Sequence, residues 1–171
     1  ALSYFTVVQC VLTVTPVQCC AMRNTIAGDW IALTALLILG LGDEGRELTE
    51  QTPSTASSTR VMSVSTARKL QQAMVQTAQE GTGRAAAPEG VQVAIKTGTA
   101  QTGVYEGEEE LLHFWYCGIV WEGDSPRWCV TVLKESSQAD GGVTARVFQQ
   151  VAQGLISLEA GETGETAGLS A

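Results

Sequence analysis

The stretch VAIKTGTAQTG, residues 93–103, opens as a short apolar run and passes straight into Lys96-Thr97-Gly98-Thr99. Apolar residues bounded by turn formers predict a buried strand, here from Val91 to Thr99. Alternate residues of a strand face the same way, so Thr97 and Thr99 present their hydroxyls together. Two further strands are predicted downstream, Leu111 to Trp121 (LLHFWYCGIVW) and Trp128 to Glu135 (WCVTVLKE), with EGDSP between them as a hairpin turn.

Helices flank this strand cluster. Thr15-Pro16-Val17-Gln18 is a helix start: Thr15 caps, Pro16 suits the first helical position and Gln18 completes a capping box. That helix should run to Ala27 and stop at Gly28. A second is predicted from about Ser65 to Glu80, with Leu70, Met74 and Thr77/Ala78 at helical spacing and Gly81 and Gly83 ending it. A third follows Gly141-Gly142, with Val147, Phe148, Val151, Leu155 and Leu158 along one stripe. Between the first two helices, ALLILGLGDEGRELTEQ reads as a hairpin about Asp43-Glu44-Gly45, and TPSTASST as a polar loop. Helix, hairpin, helix, three meandering strands and helix make an α+β pattern, an antiparallel sheet with packed helices.

Composition narrows the partners. Hydrophobic residues make up 44% and charged residues 16% of 171 residues, which suits one globular domain with a sizeable core. The net charge is −8, and the ten Lys and Arg residues are scattered, so no nucleic-acid partner is expected. The five cysteines (Cys10, Cys19, Cys20, Cys117, Cys129) match no zinc spacing beside a single histidine, so no metal or other cofactor is expected. Cys19 and Cys20, adjacent in a helix, point to different faces, and the thiols are expected to be reduced and partly buried. The N-terminal ALSYFTVVQCVLTVTP lacks the basic start of a signal peptide, and WIALTALLILGLG is too short to span a bilayer. An export signal or membrane anchor is therefore expected outside this stretch of chain.

A lone Lys-Thr-Gly arises by chance in about one chain of this length in a few tens. Here it sits in context. RKLQQAMVQTAQEGTGRAAAPEGVQVAIKTGTAQ resembles the approach to this motif in class B penicillin-binding proteins, where a helix ends in a Glu-Gly-Thr-Gly turn before Lys-Thr-Gly-Thr-Ala-Gln. LTVTPVQCCAMRNTIAG resembles the Thr-Pro-x-Gln helix of that family, and HFWYCGIVW the strand after the active-site strand. The resemblance covers roughly residues 9 to 157. It departs at Gln9-Cys10, where the family has Gln-Gly, and at Ile26-Ala27-Gly28, which lacks the family's Asn.

The resemblance implies a partial transpeptidase fold of the penicillin-binding/serine β-lactamase type over residues 1–157, followed by an acidic, Gly-rich tail, 158–171, expected to fray. It implies a D,D-transpeptidase on the extracytoplasmic face of the bacterial membrane, cross-linking peptidoglycan stem peptides at their D-Ala-D-Ala ends and acylated by β-lactams. Lys96 would be catalytic. Thr97, Gly98, Thr99 and Gln101 would contact substrate, and the Thr99 N–H would be an oxyanion donor. The family's other two elements, Ser-x-x-Lys and Ser-x-Asn, do not occur. The nearest are Ser65-x-x-Arg68 and Thr66-x-x-Lys69, and the sole asparagine, Asn24, follows Met22 by two residues. Arginine cannot give up its proton to act as a base. In the family both elements lie upstream of the Thr-Pro helix, so this chain is expected to represent the C-terminal part of the domain and to be inactive alone.

Two other functions fit the same residues: a non-catalytic scaffold of this shape, and a β-lactam sensor or β-lactamase built on the fold. His113 is expected to be a hydrogen-bonded structural residue. Trp115, Tyr116, Trp121 and Trp128 read as sheet packing, and Glu106 to Glu110 as a solvated loop near the cleft mouth. A sheet short of the family's first strands would leave Trp128 to Glu135 as an open edge, which favours self-association.

Overall fold

The computed structural model of the chain describes residues 13–28, 31–32, 40–41, 49–50, 59–140 and 142–167. Helix α1 (Pro16–Ala27) begins with the expected capping box. The Gln18 N–H donates to Thr15 Oγ1 at 3.2 Å and the Thr15 N–H to Gln18 Oε1 at 2.8 Å. Both bonds join residues three apart, so they are fixed by local sequence. Replacing Thr15 by Ala should cost about 1 kcal/mol, read as a lower denaturant midpoint at unchanged slope. Gly28 ends the helix, but with extended backbone (φ −84°, ψ −164°) rather than a left-handed cap.

Four two-residue strands follow: β1 (Ile31–Ala32), β2 (Gly40–Leu41), β3 (Thr49–Glu50) and β4 (Thr59–Arg60). β2 and β3 pair antiparallel through Gly40↔Glu50 and Leu41↔Thr49, as the predicted hairpin requires. Its turn about Asp43 lies outside the described residues, as does the polar loop up to Ser58. β1 pairs with β4.

Helix α2 (Val64–Gln79) is capped by Ser63, whose Oγ accepts the Thr66 N–H at 3.1 Å. A 3-10 turn (Arg84–Ala86) then leads into a three-stranded antiparallel sheet, β5 (Val93–Glu106), β6 (Glu109–Glu122) and β7 (Ser125–Ser137), in the order β5-β6-β7. The predicted hairpin turn is Gly123-Asp124, with Gly123 at φ +55°. All three strands outrun their predicted lengths. Glu106 to Glu110 is not a loop: β5 and β6 pair through Tyr105↔Glu110 and Glu106↔Glu109, and only Gly107-Glu108 turns. Helix α3 (Val143–Ala167) likewise carries its helical backbone through most of the tail that was expected to fray.

The sheet has two buried faces. Val93, Ile95, Val120 and Val130 pack with Phe148, Ala145 and Ala152 of α3, Ala86 of the 3-10 turn and Ala78 of α2. The opposite face puts Ala94, Ile119 and Trp121 against Ile26 of α1 and Met74 of α2. The buried stripes differ from those predicted. In α3, Val147, Val151 and Leu158 are exposed, while Ala145, Phe148 and Ala152 are buried. In α2, Leu70 is exposed and Ala67 buried. Small residues let the helix axes lie close to the sheet, so they take the inward positions. Gly118 shows the same demand, because a Cβ there would stand 2.6 Å from Phe148 Cζ and 2.7 Å from the Ala94 carbonyl oxygen.

Candidate active site

Lys96-Thr97-Gly98-Thr99 lies in β5, at one edge of the sheet among the described residues. Its cross-strand partners are Cys117, Tyr116, Trp115 and Phe114 in turn. The pleat therefore places Lys96 and Gly98 on the face packed by α1, and Thr97 and Thr99 on the face packed by α3. Val93, Ala94 and Ile95 are buried, whereas Lys96, Gly98, Thr99 and Gln101 are exposed and Thr97 half-buried. The strand thus starts in the core and emerges from it at Lys96, so the side chains that follow are presented at the surface. Lys96 Nζ donates to the Thr97 carbonyl oxygen at 2.5 Å, leaving two of its three protons for other acceptors.

Thr97 is held by Thr82, which lies between the two glycines expected to end α2. The hydroxyls of Thr82 and Thr97 are 2.8 Å apart, and the Tyr116 hydroxyl donates to the Thr82 carbonyl oxygen at 3.2 Å. Burial, then the Asp140 carboxylate, raises the Tyr116 phenol above its ordinary value, so it stays a donor. The Glu80-Gly81-Thr82-Gly83 turn can lie this close because Gly83 has no side chain: a Cβ there would be 2.9 Å from Ile95 Cγ2. Thr82 lies in the Gly81-Thr82-Gly83 turn, ahead of the 3-10 turn and β5, and that turn is the only signal the sequence offers for this contact.

Gln101 is engaged across the ladder. Its Nε2 donates to Glu110 Oε2 at 3.0 Å, while Glu110 Oε1 accepts the Gly103 N–H at 2.9 Å. These bonds tie down the irregular step between Gln101 and Tyr105, where Gly103 takes φ +71°. His113 has the structural role expected of it. Between Leu112 and Phe114 the register with β7 slips, and Ser136 takes φ +45°. His113 Nδ1 accepts the Ser136 N–H at 3.0 Å, satisfying a backbone donor at that bulge. Ser65 and Thr66 lie at the start of α2, where their hydroxyls bond to Ser63 Oγ at 3.0 and 2.8 Å. They serve the helix cap rather than forming a nucleophile–base pair. Two cavities, of ≈ 150 Å³ beside Val75 and Val91 and ≈ 480 Å³ beside Arg68 and Trp121, are lined by neither Lys96 nor the threonines. Among the described residues the candidate site is exposed strand surface. Among the described residues no group of His, Cys, Asp and Glu is arranged to hold a metal.

Residues 3–153 match the family described as the penicillin binding protein transpeptidase domain. The chain belongs to this family. It is 31% identical over 163 residues to penicillin-binding protein PbpB of Mycolicibacterium smegmatis, a match covering 85% of this chain and 24% of that protein. The chain therefore spans about a quarter of the length of this curated relative. A peptidoglycan synthetase from Bifidobacterium adolescentis superposes with a TM-score of 0.63 at 26% identity, over 79% of this chain and 26% of that one. The D,D-transpeptidase domain of a peptidoglycan glycosyltransferase from Eggerthella lenta has the same TM-score at 22% identity, over 81% of this chain and 31% of that one, a likeness of fold alone. The antiparallel sheet with its packed helices is thus part of a penicillin-binding transpeptidase domain, and the resemblance to class B penicillin-binding proteins drawn from the sequence stands.

Proposed function

We propose that the whole protein is a serine-type D,D-transpeptidase of peptidoglycan synthesis and that β5 is the strand along which its substrate lies. The observation carrying this reading is the run from Lys96 to Gln101, exposed at Lys96, Gly98, Thr99 and Gln101 and half-buried at Thr97, within a transpeptidase-family chain at the point where β5 leaves the core. A serine oxygen attacks the carbonyl between two D-alanines, the terminal D-alanine leaves, and an amine of a second stem peptide takes the acyl group. Lys96 supplies positive charge for the terminal carboxylate and favours deprotonation of a neighbouring hydroxyl. Thr97 and Thr99 bond that carboxylate, Gly98 lets the peptide lie flat, and the Thr99 N–H is one oxyanion donor. Gln101 borders the cleft, with its amide turned to Glu110.

The serine must come from chain outside these 171 residues, which hold no Ser-x-x-Lys. Fluorescent penicillin should label the whole protein stoichiometrically and leave these 171 residues unlabelled. A whole protein that carries the serine yet resists acylation would leave only the scaffold reading. Stem peptides and β-lactams are the proposed ligands, and the extracytoplasmic face of the membrane the proposed location. Among the described residues no helix is long and apolar enough to cross a membrane.

Thr82 positions Thr97. Thr82→Val in the whole protein should slow β-lactam acylation about five-fold, the worth of one ordinary hydrogen bond, and Thr82→Ser should restore it. The edge of β7 is where we expect further strands of the domain to pair. Expressed alone, the 171 residues should self-associate through that edge. A single monomeric species at high concentration in sedimentation velocity would refute this.

A further inference from the structure

Four cysteines that play no part in the proposed chemistry lie in one layer between α1 and the sheet. Cys117 of β6 pairs across the ladder with Thr131 of β7, and Ile119 with Cys129. Cys117, Thr131 and Cys129 therefore share the face that α1 covers. Cys19 and Cys20 meet that face from α1. Cys19 and Cys117 are neighbours in this layer, and they are only 9% and 4% exposed. Cys20 is engaged differently, donating to Thr131 Oγ1 at 3.2 Å and to the Cys129 carbonyl oxygen at 3.5 Å. One turn along α1, Arg23 interacts with both Cys19 and Cys129, and its Nε is buried without a hydrogen-bond partner. All four thiols are free in the structure.

We propose that Cys19 and Cys117 are a disulfide-forming pair that staples α1 to the strand directly behind Lys96. Cys117 is the cross-strand partner of Lys96, so the bridge would hold the ladder at the residue the proposed chemistry depends on. Both side chains are buried in the one layer where α1 meets β6, so bonding asks only that neighbouring thiols close. The pairing is selective because Cys20 is drawn toward β7 by Thr131, away from Cys117.

The chemistry is thiol–disulfide exchange. One thiolate attacks a sulfur of an external disulfide, glutathione disulfide or the oxidised dithiol of a thiol oxidoreductase, and expels its partner thiolate. The second cysteine then displaces the remaining reagent sulfur. One disulfide forms, one is reduced, and the two protons of the cysteine thiols pass to the two expelled reagent sulfurs, which leave as thiols. Burial and the neighbouring Cys117 push the Cys19 thiol up, so the folded pair reacts slowly and the bridge belongs to the folding chain. In the cell the oxidant depends on the extracytoplasmic location proposed above; in vitro the chemistry does not.

The test is to refold the full chain in a glutathione redox buffer, block free thiols, and map the bridges by mass spectrometry without reduction. Trypsin should release residues 1–23 joined to residues 97–127, and fragmentation or the double variant Cys10→Ser/Cys20→Ser should leave the link on Cys19. The bridge closes a loop of about 100 residues, so Tm should rise on the order of 10 °C and fall back with dithiothreitol. Cys117→Ser should abolish the link and that rise, and Cys19→Ser serves the same purpose if the buried serine prevents folding. Thiols at 19 and 117 that remain blockable after oxidative refolding would overturn the proposal. So would a Cys20–Cys129 bridge in their place, whatever the outcome for the transpeptidase reading.

Discussion

Lys96→Ala in the whole protein should lower the second-order rate of β-lactam acylation by about 10²–10⁴-fold, the range spanned by a positioned proton-transfer group or a preorganised charge. The same substitution should leave stability within about 0.5 kcal/mol, because the side chain is exposed and its one recorded bond is to the neighbouring Thr97 carbonyl. That split makes the experiment decisive, since a residue serving only the fold would lose stability rather than rate. Lys96→Arg separates two contributions. Arginine keeps the charge for the carboxylate but cannot give up a proton. If Lys96 acts through its field alone, the arginine variant should recover most of the rate. If it also moves a proton, the variant should stay close to Lys96→Ala. Acylation of Lys96→Ala at the unsubstituted rate would remove Lys96 from the mechanism and leave Lys96-Thr97-Gly98 a structural remnant.

How much of this site could be read from the sequence depends on how local each contact is. The capping box at Thr15 and the turn at Gly123-Asp124 involve residues within a few positions, and both are legible. So is the run of apolar residues into Lys96, and the motif order that marks the family. The Thr82–Thr97 bond spans 15 residues and depends on a Gly-rich turn folding back along β5, which no periodicity encodes. The extension of β5 and β6 through Glu106 and Glu109 was hidden because acidic residues favour solvent more than strands. There the pairing continues because Glu110 satisfies Gln101 and the Gly103 amide across the hairpin. The helix stripes were misread for another reason. Ranking by apolar size selects Val147, Val151 and Leu70, but close helix–sheet contact selects Ala145, Ala152 and Ala67. The thiol layer required the β6–β7 register, which places Cys117 and Cys129 on one face and cannot be taken from either strand alone.

Phe148→Ala should destabilise the fold by about 3–5 kcal/mol, a large share of the 5–15 kcal/mol that separates a typical domain from its unfolded state. The ring is fully buried and stands at the centre of the α3 face, against Ile95, Val120 and Val130. It occupies the space that Gly118 leaves empty. Gly118→Ala should therefore also destabilise, by about 1–3 kcal/mol, because its new methyl meets Phe148 Cζ at 2.6 Å and the Ala94 carbonyl oxygen at 2.7 Å. The two contacts are separable. Truncating Phe148 removes the first and leaves the second, since the Ala94 oxygen belongs to the backbone of β5. The double variant Gly118→Ala/Phe148→Leu should thus be less destabilised than the sum of its singles, with a coupling of about 0.5–3 kcal/mol in urea unfolding. It should not return to the stability of Phe148→Leu alone. Strict additivity would mean that the carbonyl contact dominates at Gly118. Full rescue would mean that the ring alone excludes a side chain there and that β5 can move away from β6, carrying Lys96 with it.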